Sequence, residues 1–401
     1  MGSNPTLSAN WSECVTEILY RSPALEVRRV AAGDGSRMVV TFDSYHEPGV
    51  DRPGFGEAFF RAEGITAVHI MCHDNDWYQY PEIPSLLSVV SQASSAAERV
   101  MTYGSSMGGY AALRFAAAVG AHAALALSPQ YSIDQKKMPL ETRWASDRRR
   151  IRFLANIERP IEQVPLMVAA FDSGFEIDAH HVARVAEDAE LHQLDLPFAG
   201  HPVGPFLNEL GLLRPLVLDV LEGRFDQDYF GSTARKHARR SAHWLANVAE
   251  RHPGAQGERG IAFARRAVSL APGQPSLHYA LARRLAAAGR YREAVEAHER
   301  AIAIEPIADY QWGLSKTLFE AGDIAAALAI AQRLQGIAPS TPGFHAWASR
   351  LHEALDDLPA ALAALRAARQ RDPGNPGYRF NVHRLAWRAR VRRWRRILFG
   401  G

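Results

Sequence analysis

Up to about residue 225, short apolar and β-branched runs alternate along the chain with longer segments of helical periodicity. Segments such as "PSLLSVVSQASSAAE" and "DAHHVARVAEDAE" separate the short runs and place apolar residues on one helical face. Six of the short runs have the length and composition of buried strands; they lie at 37–44, 65–72, 99–105, 123–129, 165–172 and 191–198. Alternating strands and helices predict an α/β fold, with a mostly parallel sheet that helices cover on both faces.

Two segments depart from this alternation. "LEVRRVAAGDGS", which precedes the first of the six runs, predicts an antiparallel edge strand and a turn. Residues 131–163 are polar and basic and lack the period of a strand. We therefore expect 131–163 to form an insertion over the top of the sheet.

From about residue 235 the strand-like runs stop and an alanine-rich helical pattern repeats. Prolines recur at intervals of 34, 33 and 34 residues, at positions 272, 306, 339 and 373. Small residues stand twelve positions before the last three prolines, and a turn residue stands seventeen before: these are Ala294, Ala327 and Ala361, and Gly289, Gly322 and Asp356. The first repeat is expected to retain only its second helix.

The stretch "AAAGRYREAVEAHERAIAIEP" is similar to a tetratricopeptide repeat almost throughout. This resemblance implies an all-α solenoid whose concave groove binds a protein or peptide partner. A packing or oligomerisation module is the alternative for the same repeats.

The stretch "YGSSMGGY" contains one G-x-S-x-G pattern, from Gly104 to Gly108, with Ser106 at its centre. A strand-like run precedes it and a helix-like run follows, which is the context that a nucleophile elbow requires. Such a turn lifts the serine hydroxyl above the sheet and sets the Met107 amide at a helix N-terminus, where it can stabilise an oxyanion. A phosphate-binding loop is the alternative, but the P-loop lysine and a G-x-G-x-x-G pattern are missing here.

At these residues the first two hundred or so positions resemble the α/β-hydrolase fold, and "SSMGGYAAL" looks like the S-M-G-G elbow of its esterases and acyltransferases. The resemblance implies a triad in the chain order serine, acid, histidine. His201, just past the last strand, is the predicted base. Asp172, at the end of the strand "PLMVAAFD", is the preferred acid. Asp178 is the alternative acid, or else caps the helix that follows it.

The remaining site predictions concern the loops after two earlier strands. The second oxyanion donor is expected from a backbone amide near Ser44 or Tyr45, although Phe42-Asp43 replaces the usual His-Gly. Trp77 and Tyr78, with Trp144 from the insertion, are predicted to line the substrate pocket and to suit a sugar or acyl group. Scaffold packing is the alternative for these aromatic residues. His73, Asp74 and Asp76 lack a matching ligand set elsewhere, so we predict no metal site.

Charge separates the end of the chain from the rest. Eight of the 46 basic residues and no acid lie between Arg379 and Arg396, although the net charge of the chain is only +3. Trp387, Val391, Trp394 and Leu398 share one helical face there. The helix is expected either to cap the repeats or to lie on an anionic membrane surface.

Composition also indicates where the protein is located and what it binds. Two cysteines, Cys14 and Cys72, cannot make a disulfide framework, and the first twenty residues lack a signal-peptide pattern. A cytoplasmic protein, with peripheral membrane association through 379–401 as an option, is therefore expected, and no nucleic-acid partner is predicted.

The sequence thus predicts an α/β-hydrolase catalytic domain at 1–226, a linker at 227–243, tetratricopeptide-like repeats at 244–378 and a basic amphipathic helix at 379–401. The predicted activity is that of a serine esterase or acyltransferase acting through an acyl-enzyme on a carboxylic ester, with an acylated carbohydrate as the preferred substrate. No cofactor is needed for this chemistry. The alternatives are a non-catalytic adaptor that uses the repeats and a membrane-associated lipase.

Overall fold

The computed structural model of the protein describes residues 16–399. Cys14, most of the N-terminal stretch that lacks a signal pattern, and residues 400–401 lie outside this range. The chain divides into two compact units, Met1–Trp244 and Leu245–Gly401. Among the described residues, no helix has both the length and the apolar character needed to cross a bilayer.

The first unit is built on one eight-stranded sheet. Its strands are β1 (Thr16–Arg21), β2 (Leu25–Val30), β3 (Arg37–Phe42), β4 (Thr66–Cys72), β5 (Arg99–Ser105), β6 (Ala123–Leu127), β7 (Leu166–Phe171) and β8 (His192–Asp195). They lie in the order β1-β2-β4-β3-β5-β6-β7-β8. β2 is antiparallel to both neighbours, and the other pairs are parallel. All six predicted strands are therefore present, as is the predicted antiparallel strand at 25–30. The strand at 25–30 is not at the edge as predicted, because β1 pairs with its outer side.

Helices cover both faces of this sheet. They are α1 (Glu57–Ala62), α2 (Ile83–Ser94), α3 (Met107–Arg114), α4 (Ala145–Arg150), α5 (Glu176–Asp188), α6 (Gly204–Glu209), α7 (Leu213–Leu221) and α8 (Gln227–His237). The central strand β3 shows why both faces are apolar: Val40 and Phe42 belong to one buried cluster, and Val39 belongs to the other. Successive side chains of a strand point to opposite faces, so a strand covered on both sides needs apolar residues throughout.

The segment 227–243 is not the predicted linker. Residues 227–237 form α8, and its Phe230 and Ala234 are buried against the sheet in the second cluster. Trp244 closes this unit by donating from Nε1 to the Pro197 carbonyl at 3.1 Å. The polar residues of this segment suggested a linker. Phe230 and Ala234 are four residues apart, so they lie on one face of the helix and pack together against the sheet unit.

The second unit is a stack of helices in which short turns separate successive pairs. The helices are α9 (Ala242–Arg251), which begins before the unit boundary, α10 (Gly257–Leu270), α11 (Pro275–Ala287), α12 (Tyr291–Ile304), α13 (Ala308–Glu320), α14 (Ile324–Ile337), α15 (Pro342–Ala354), α16 (Leu358–Arg371) and α17 (Pro376–Phe399). The four periodic prolines each follow the end of a second helix, as predicted. The first repeat is more complete than expected, because α9 precedes α10.

The periodic small residues have the positions that the spacing predicted. Ala294, Ala327 and Ala361 are fully buried on the second helices. Gly289 and Gly322 have φ of +73° and +89°, and each stands between the two helices of a pair. Asp356 occupies the equivalent turn with φ +61°. The left-handed conformation that ends the first helix explains why glycine recurs here.

Candidate active site

The turn from β5 to α3 holds Ser106 in a conformation that few L-residues adopt. Its φ is 54° and its ψ is −114°, between a strand that ends at Ser105 and a helix that begins at Met107. Both glycines of the pattern are required by close backbone contact. A Cβ on Gly104 would lie 2.2 Å from the Gly108 carbonyl oxygen, and one on Gly108 would lie 2.4 Å from that of Phe42. The predicted strand–turn–helix geometry is present.

Ser106 is hydrogen-bonded to the histidine that the sequence singled out. Its Oγ lies 3.0 Å from His201 Nε2. On the other side of the imidazole, Nδ1 lies 2.5 Å from Asp178 Oδ2. Asp178 is fully buried and Ser106 nearly so, while His201 keeps about 15% of its side chain exposed. The three side chains form a continuous chain from hydroxyl to carboxylate, as nucleophile activation requires.

The preference for Asp172 over Asp178 is corrected by this geometry. Asp172 lies at the end of β7, as expected, but its carboxylate accepts backbone N–H groups from Gly174, Phe198 and Gly200 at 2.9, 2.8 and 2.7 Å. Two of these amides belong to the loop that carries His201. Asp172 therefore holds the histidine loop, and Asp178 contacts the imidazole.

Asp178 is likewise not the helix cap that the sequence allowed. α5 begins at Glu176, so Asp178 is its third residue, and its side chain points away from the helix terminus toward His201. Asp178 therefore takes the position that the sequence assigned to Asp172, and Asp172 binds backbone amides instead. Amide binding by Asp172 depends on the loop after β8, which is distant in sequence.

The insertion supplies a cation to the same carboxylate. Arg143 Nη1 lies 3.0 Å from Asp178 Oδ1, the oxygen that does not face His201. The same guanidinium contacts Glu141 Oε2 at 2.7 Å. Burial raises the pKa of Glu141, but hydrogen bonds from His181 and Arg143 outweigh burial and bring this pKa down to about 2. The site therefore contains an ordered row of alternating charges, with Arg143 between two buried carboxylates.

His181 completes this row from one turn further along α5. Its Nε2 lies 2.9 Å from Glu141 Oε2, and its Nδ1 accepts the Tyr131 N–H at 3.1 Å. Burial lowers the pKa of His181, although the Glu141 carboxylate opposes this effect. Sequence reasoning did not consider Glu141, and it set His181 aside as a histidine on a helix. The available signal was the three-residue spacing of Asp178 and His181, which puts both on one helix face.

The sequence predicts oxyanion donors at the backbone amides of Met107 and Ser44, and both residues follow the carboxyl end of a strand. Met107 is the first residue of α3, so its N–H has no carbonyl one turn earlier to bond. Ser44 follows β3, and Tyr78 Oη donates to the carbonyl oxygen of Asp43 at 3.1 Å. In a trans peptide the C=O and N–H point in opposite directions, so this bond turns the Ser44 N–H away from Tyr78. Burial raises the pKa of Tyr78 well above its usual value, which keeps its phenol protonated as a donor.

The three aromatic residues predicted to line the substrate pocket, Trp77, Tyr78 and Trp144, do not share one environment. Tyr78 is fully buried against Phe42 and Phe115 in the core, so it is a scaffold residue and not a pocket wall. Trp77 is also buried, and its Nε1 donates to Gln130 Oε1 at 2.6 Å. Its ring centroid lies 5.1 Å from that of Trp144.

Exposed Tyr45 extends this cluster toward solvent. Its ring stacks on Trp144 at 4.9 Å and lies 6.0 Å from Trp77. Tyr45 adjoins Ser44, and Trp144 adjoins Arg143. The cluster therefore joins the loop of the predicted oxyanion donor to the insertion residue that contacts Asp178. Gln130 was not identified as a site residue from the sequence, and Tyr45 was named only as an alternative to Ser44 for its backbone amide.

Within residues 16–399, no three His, Cys, Asp or Glu side chains are grouped as a metal site would need. Asp76 is paired with Arg150. The residues around Ser106 instead bring together a hydroxyl, an imidazole and a buried carboxylate. That set has the composition for covalent acyl transfer.

No known protein family and no curated protein sequence matches the chain. Several solved structures resemble part of it. YrrB, described as a TPR protein with an unusual peptide-binding site, is 19% identical over 39% of this chain and 82% of its own, with a TM-score of 0.31. A thermophilic TPR protein of Thermus thermophilus is 17% identical over 45% of this chain and 99% of its own, with a TM-score of 0.34. MamA from Desulfovibrio magneticus is 17% identical over 37% of this chain and 85% of its own, with a TM-score of 0.33. Likenesses of this size carry no inference about activity.

Proposed function

We propose that the first unit is a serine-dependent esterase or acyltransferase of the α/β-hydrolase type, with Ser106, His201 and Asp178 as its triad. The observation that carries this proposal is the pair of contacts at 3.0 and 2.5 Å that links the strained serine, through one imidazole, to a fully buried carboxylate. The chain order serine, aspartate, histidine is the order found in α/β-hydrolases. A strained nucleophile is difficult to explain in a scaffold, since strain of this kind costs about 1–3 kcal/mol.

The chemistry follows from the positions of these groups. Ser106 Oγ attacks the ester carbonyl carbon while His201 Nε2 takes its proton, and the carbonyl oxygen becomes an oxyanion beside the amides of Met107 and Ser44. The carbon–oxygen bond to the leaving alcohol then breaks, and His201 returns the proton to that alcohol. Water or an acceptor hydroxyl attacks the acyl-enzyme in the same way and restores Ser106. Asp178 stabilises the imidazolium in both halves of the reaction.

The proposed substrate is an acylated carbohydrate. The stacked rings of Tyr45 and Trp144, beside the loop of Ser44, support this choice because such rings pack well against the apolar faces of sugars. An adaptor role for the second unit is the companion proposal. Stacked helical pairs with buried small residues support it, since arrays of this kind offer an extended surface to a protein or peptide.

The adaptor role and catalysis are separable by experiment. The full chain would be assayed for release of p-nitrophenol from short and long p-nitrophenyl esters, and for release of acetate from a peracetylated sugar. We expect turnover that Ser106→Ala lowers by about 10³-fold or more, with Ser105→Ala as the matched control. Turnover that Ser106→Ala retains, or a folded wild-type chain without turnover on any ester, would leave the non-catalytic adaptor as the better account.

A further inference from the structure

The helix α17 presents two different faces, and only one of them packs on the repeats. Val382 and Leu385 are buried in a cluster with α16 residues such as Leu365. This contact covers the end of the stack, which is what a capping helix must do. It uses residues other than the predicted face of Trp387, Val391, Trp394 and Leu398, the last of which lies where the structure describes no side chain.

The opposite face carries a stripe of three aromatic side chains. Phe380, Trp387 and Trp394 are 68%, 67% and 70% exposed. They are spaced by seven residues, or nearly two helical turns, so they align along one side over about 21 Å. Large aromatic residues aligned in this way and left in water mark an interaction surface more than isolated apolar residues do.

Arginines flank this aromatic stripe on both sides. Arg388 and Arg390 are exposed on either side of Trp387. Arg384 and Arg388 are paired with Glu353, and Arg392 is paired with Asp356, so these contacts neutralise only part of the positive charge of the helix. The segment Arg379 to Arg396 has eight arginines and no acid of its own. The occupant of this surface must therefore combine an apolar layer with negative charge.

We propose that the Phe380–Trp387–Trp394 face of α17 docks the protein on anionic lipid membranes. Tryptophan and phenylalanine insert at the boundary between headgroups and acyl chains, and arginines beside them contact anionic headgroups. Each basic residue near such a surface adds to the electrostatic attraction. A second copy of the chain fits less well, because pairing through this stripe would bring two sets of arginines together. This surface is independent of the proposed hydrolase activity.

The test is co-sedimentation of the full chain with large vesicles of phosphatidylcholine alone, or of phosphatidylcholine with about 30% phosphatidylserine. We expect binding to the anionic vesicles only, and at least a tenfold weaker apparent affinity when salt rises from about 0.1 M to about 0.5 M. The double variant Trp387→Ser/Trp394→Ser should weaken binding by about tenfold or more. Ile337→Ser, which removes another exposed apolar side chain of the stack, is the matched control and should change nothing.

Thermal melting separates docking from folding, because the double variant alters outward residues and should melt like the wild type. The absence of binding to anionic vesicles would overturn the proposal. So would equal binding to both vesicle types, or undiminished binding by the double variant. Sedimentation velocity without vesicles gives a further check: a dimer that the double variant abolishes would assign the stripe to self-association instead.

Discussion

Both units have glycines with left-handed backbone, but they differ in how many other residues adopt it. In the helical stack, positive φ falls on glycine, with Asp356 as the exception among the described residues. In the sheet unit, Trp77, Tyr78, Ser106, Ser128 and Phe198 all have φ between 47° and 65°, and each follows the carboxyl end of a strand.

This difference separates architecture from chemistry. A turn that only has to reverse the chain is made most cheaply with glycine. A turn that also has to present a side chain must hold a non-glycine residue there, at a cost of about 1–3 kcal/mol. The strained residues gather at the edge of the sheet where α/β proteins bind ligands. We therefore expect opposite responses to substitution in the two units.

The largest effect is expected at Asp178. Asp178→Asn should cut turnover by about 10⁴-fold with little change in melting temperature, because the imidazole loses its acceptor and is offered the wrong tautomer. Asp172→Asn is the matched comparison. It weakens three amide contacts that fix the histidine loop, so it should cost about 2–3 kcal/mol of stability and lower turnover only indirectly. Ester kinetics and thermal melting on both variants measure the difference. An inactive but fully stable Asp172→Asn beside an active Asp178→Asn would reverse the assignment.

Arg143 is expected to have the next largest effect. Arg143→Met leaves Asp178 and Glu141 as neighbouring buried carboxylates without a cation, which should destabilise the fold by about 3 kcal/mol. It should also lower kcat about 10- to 100-fold with little change in KM, since Asp178 loses one of the two partners that orient it. Arg143→Lys should restore part of kcat. If both variants change KM alone, the arginine would be a substrate contact rather than a positioning residue.

Ser106→Gly tests the strain directly. Glycine adopts a positive φ without steric conflict, so we expect the free energy of unfolding to rise by about 1 kcal/mol while activity is lost. Ser106→Ala should lose activity without this gain. Chemical denaturation of the two variants provides the comparison. A Ser106→Gly protein no more stable than Ser106→Ala would mean that the turn is unstrained.

Substitutions of glycine by alanine in the helical stack are expected to have the smallest effect. At a left-handed turn the substitution should lower stability, whereas removing a side chain at Ser106 should raise it. Gly322→Ala forces a Cβ into a left-handed turn and should cost about 1 kcal/mol. Gly336→Ala is a matched control inside α14, where nothing lies near the added Cβ, and it should stabilise by up to about 1 kcal/mol through helix propensity. Thermal melting should therefore move in opposite directions for the same substitution. Equal shifts would show that the turn conformation is not what requires Gly322.

The parts of the molecule that were predictable from sequence share one property: their signals are local. The six strands and the repeats follow from apolar periodicity, and the Ser106 turn follows from five adjacent residues. The choice between Asp172 and Asp178 was not predictable in the same way. It depends on how the loop after β8 folds back over β7, where Asp172 binds the amides of Phe198 and Gly200. The packing of α8 was also not predicted. Its two buried residues, Phe230 and Ala234, stand in a mostly polar segment, and their contact with the sheet is long-range.

The most direct test of the central claim is labelling with a fluorophosphonate, which reacts with an activated serine and not with an ordinary hydroxyl. Intact-protein mass measurement and peptide mapping on the wild type should find one adduct, at Ser106. Ser105→Ala should keep the adduct, and Ser106→Ala should abolish it. An adduct that survives Ser106→Ala, or a folded wild-type protein that never reacts, would contradict the assignment of Ser106 as a nucleophile.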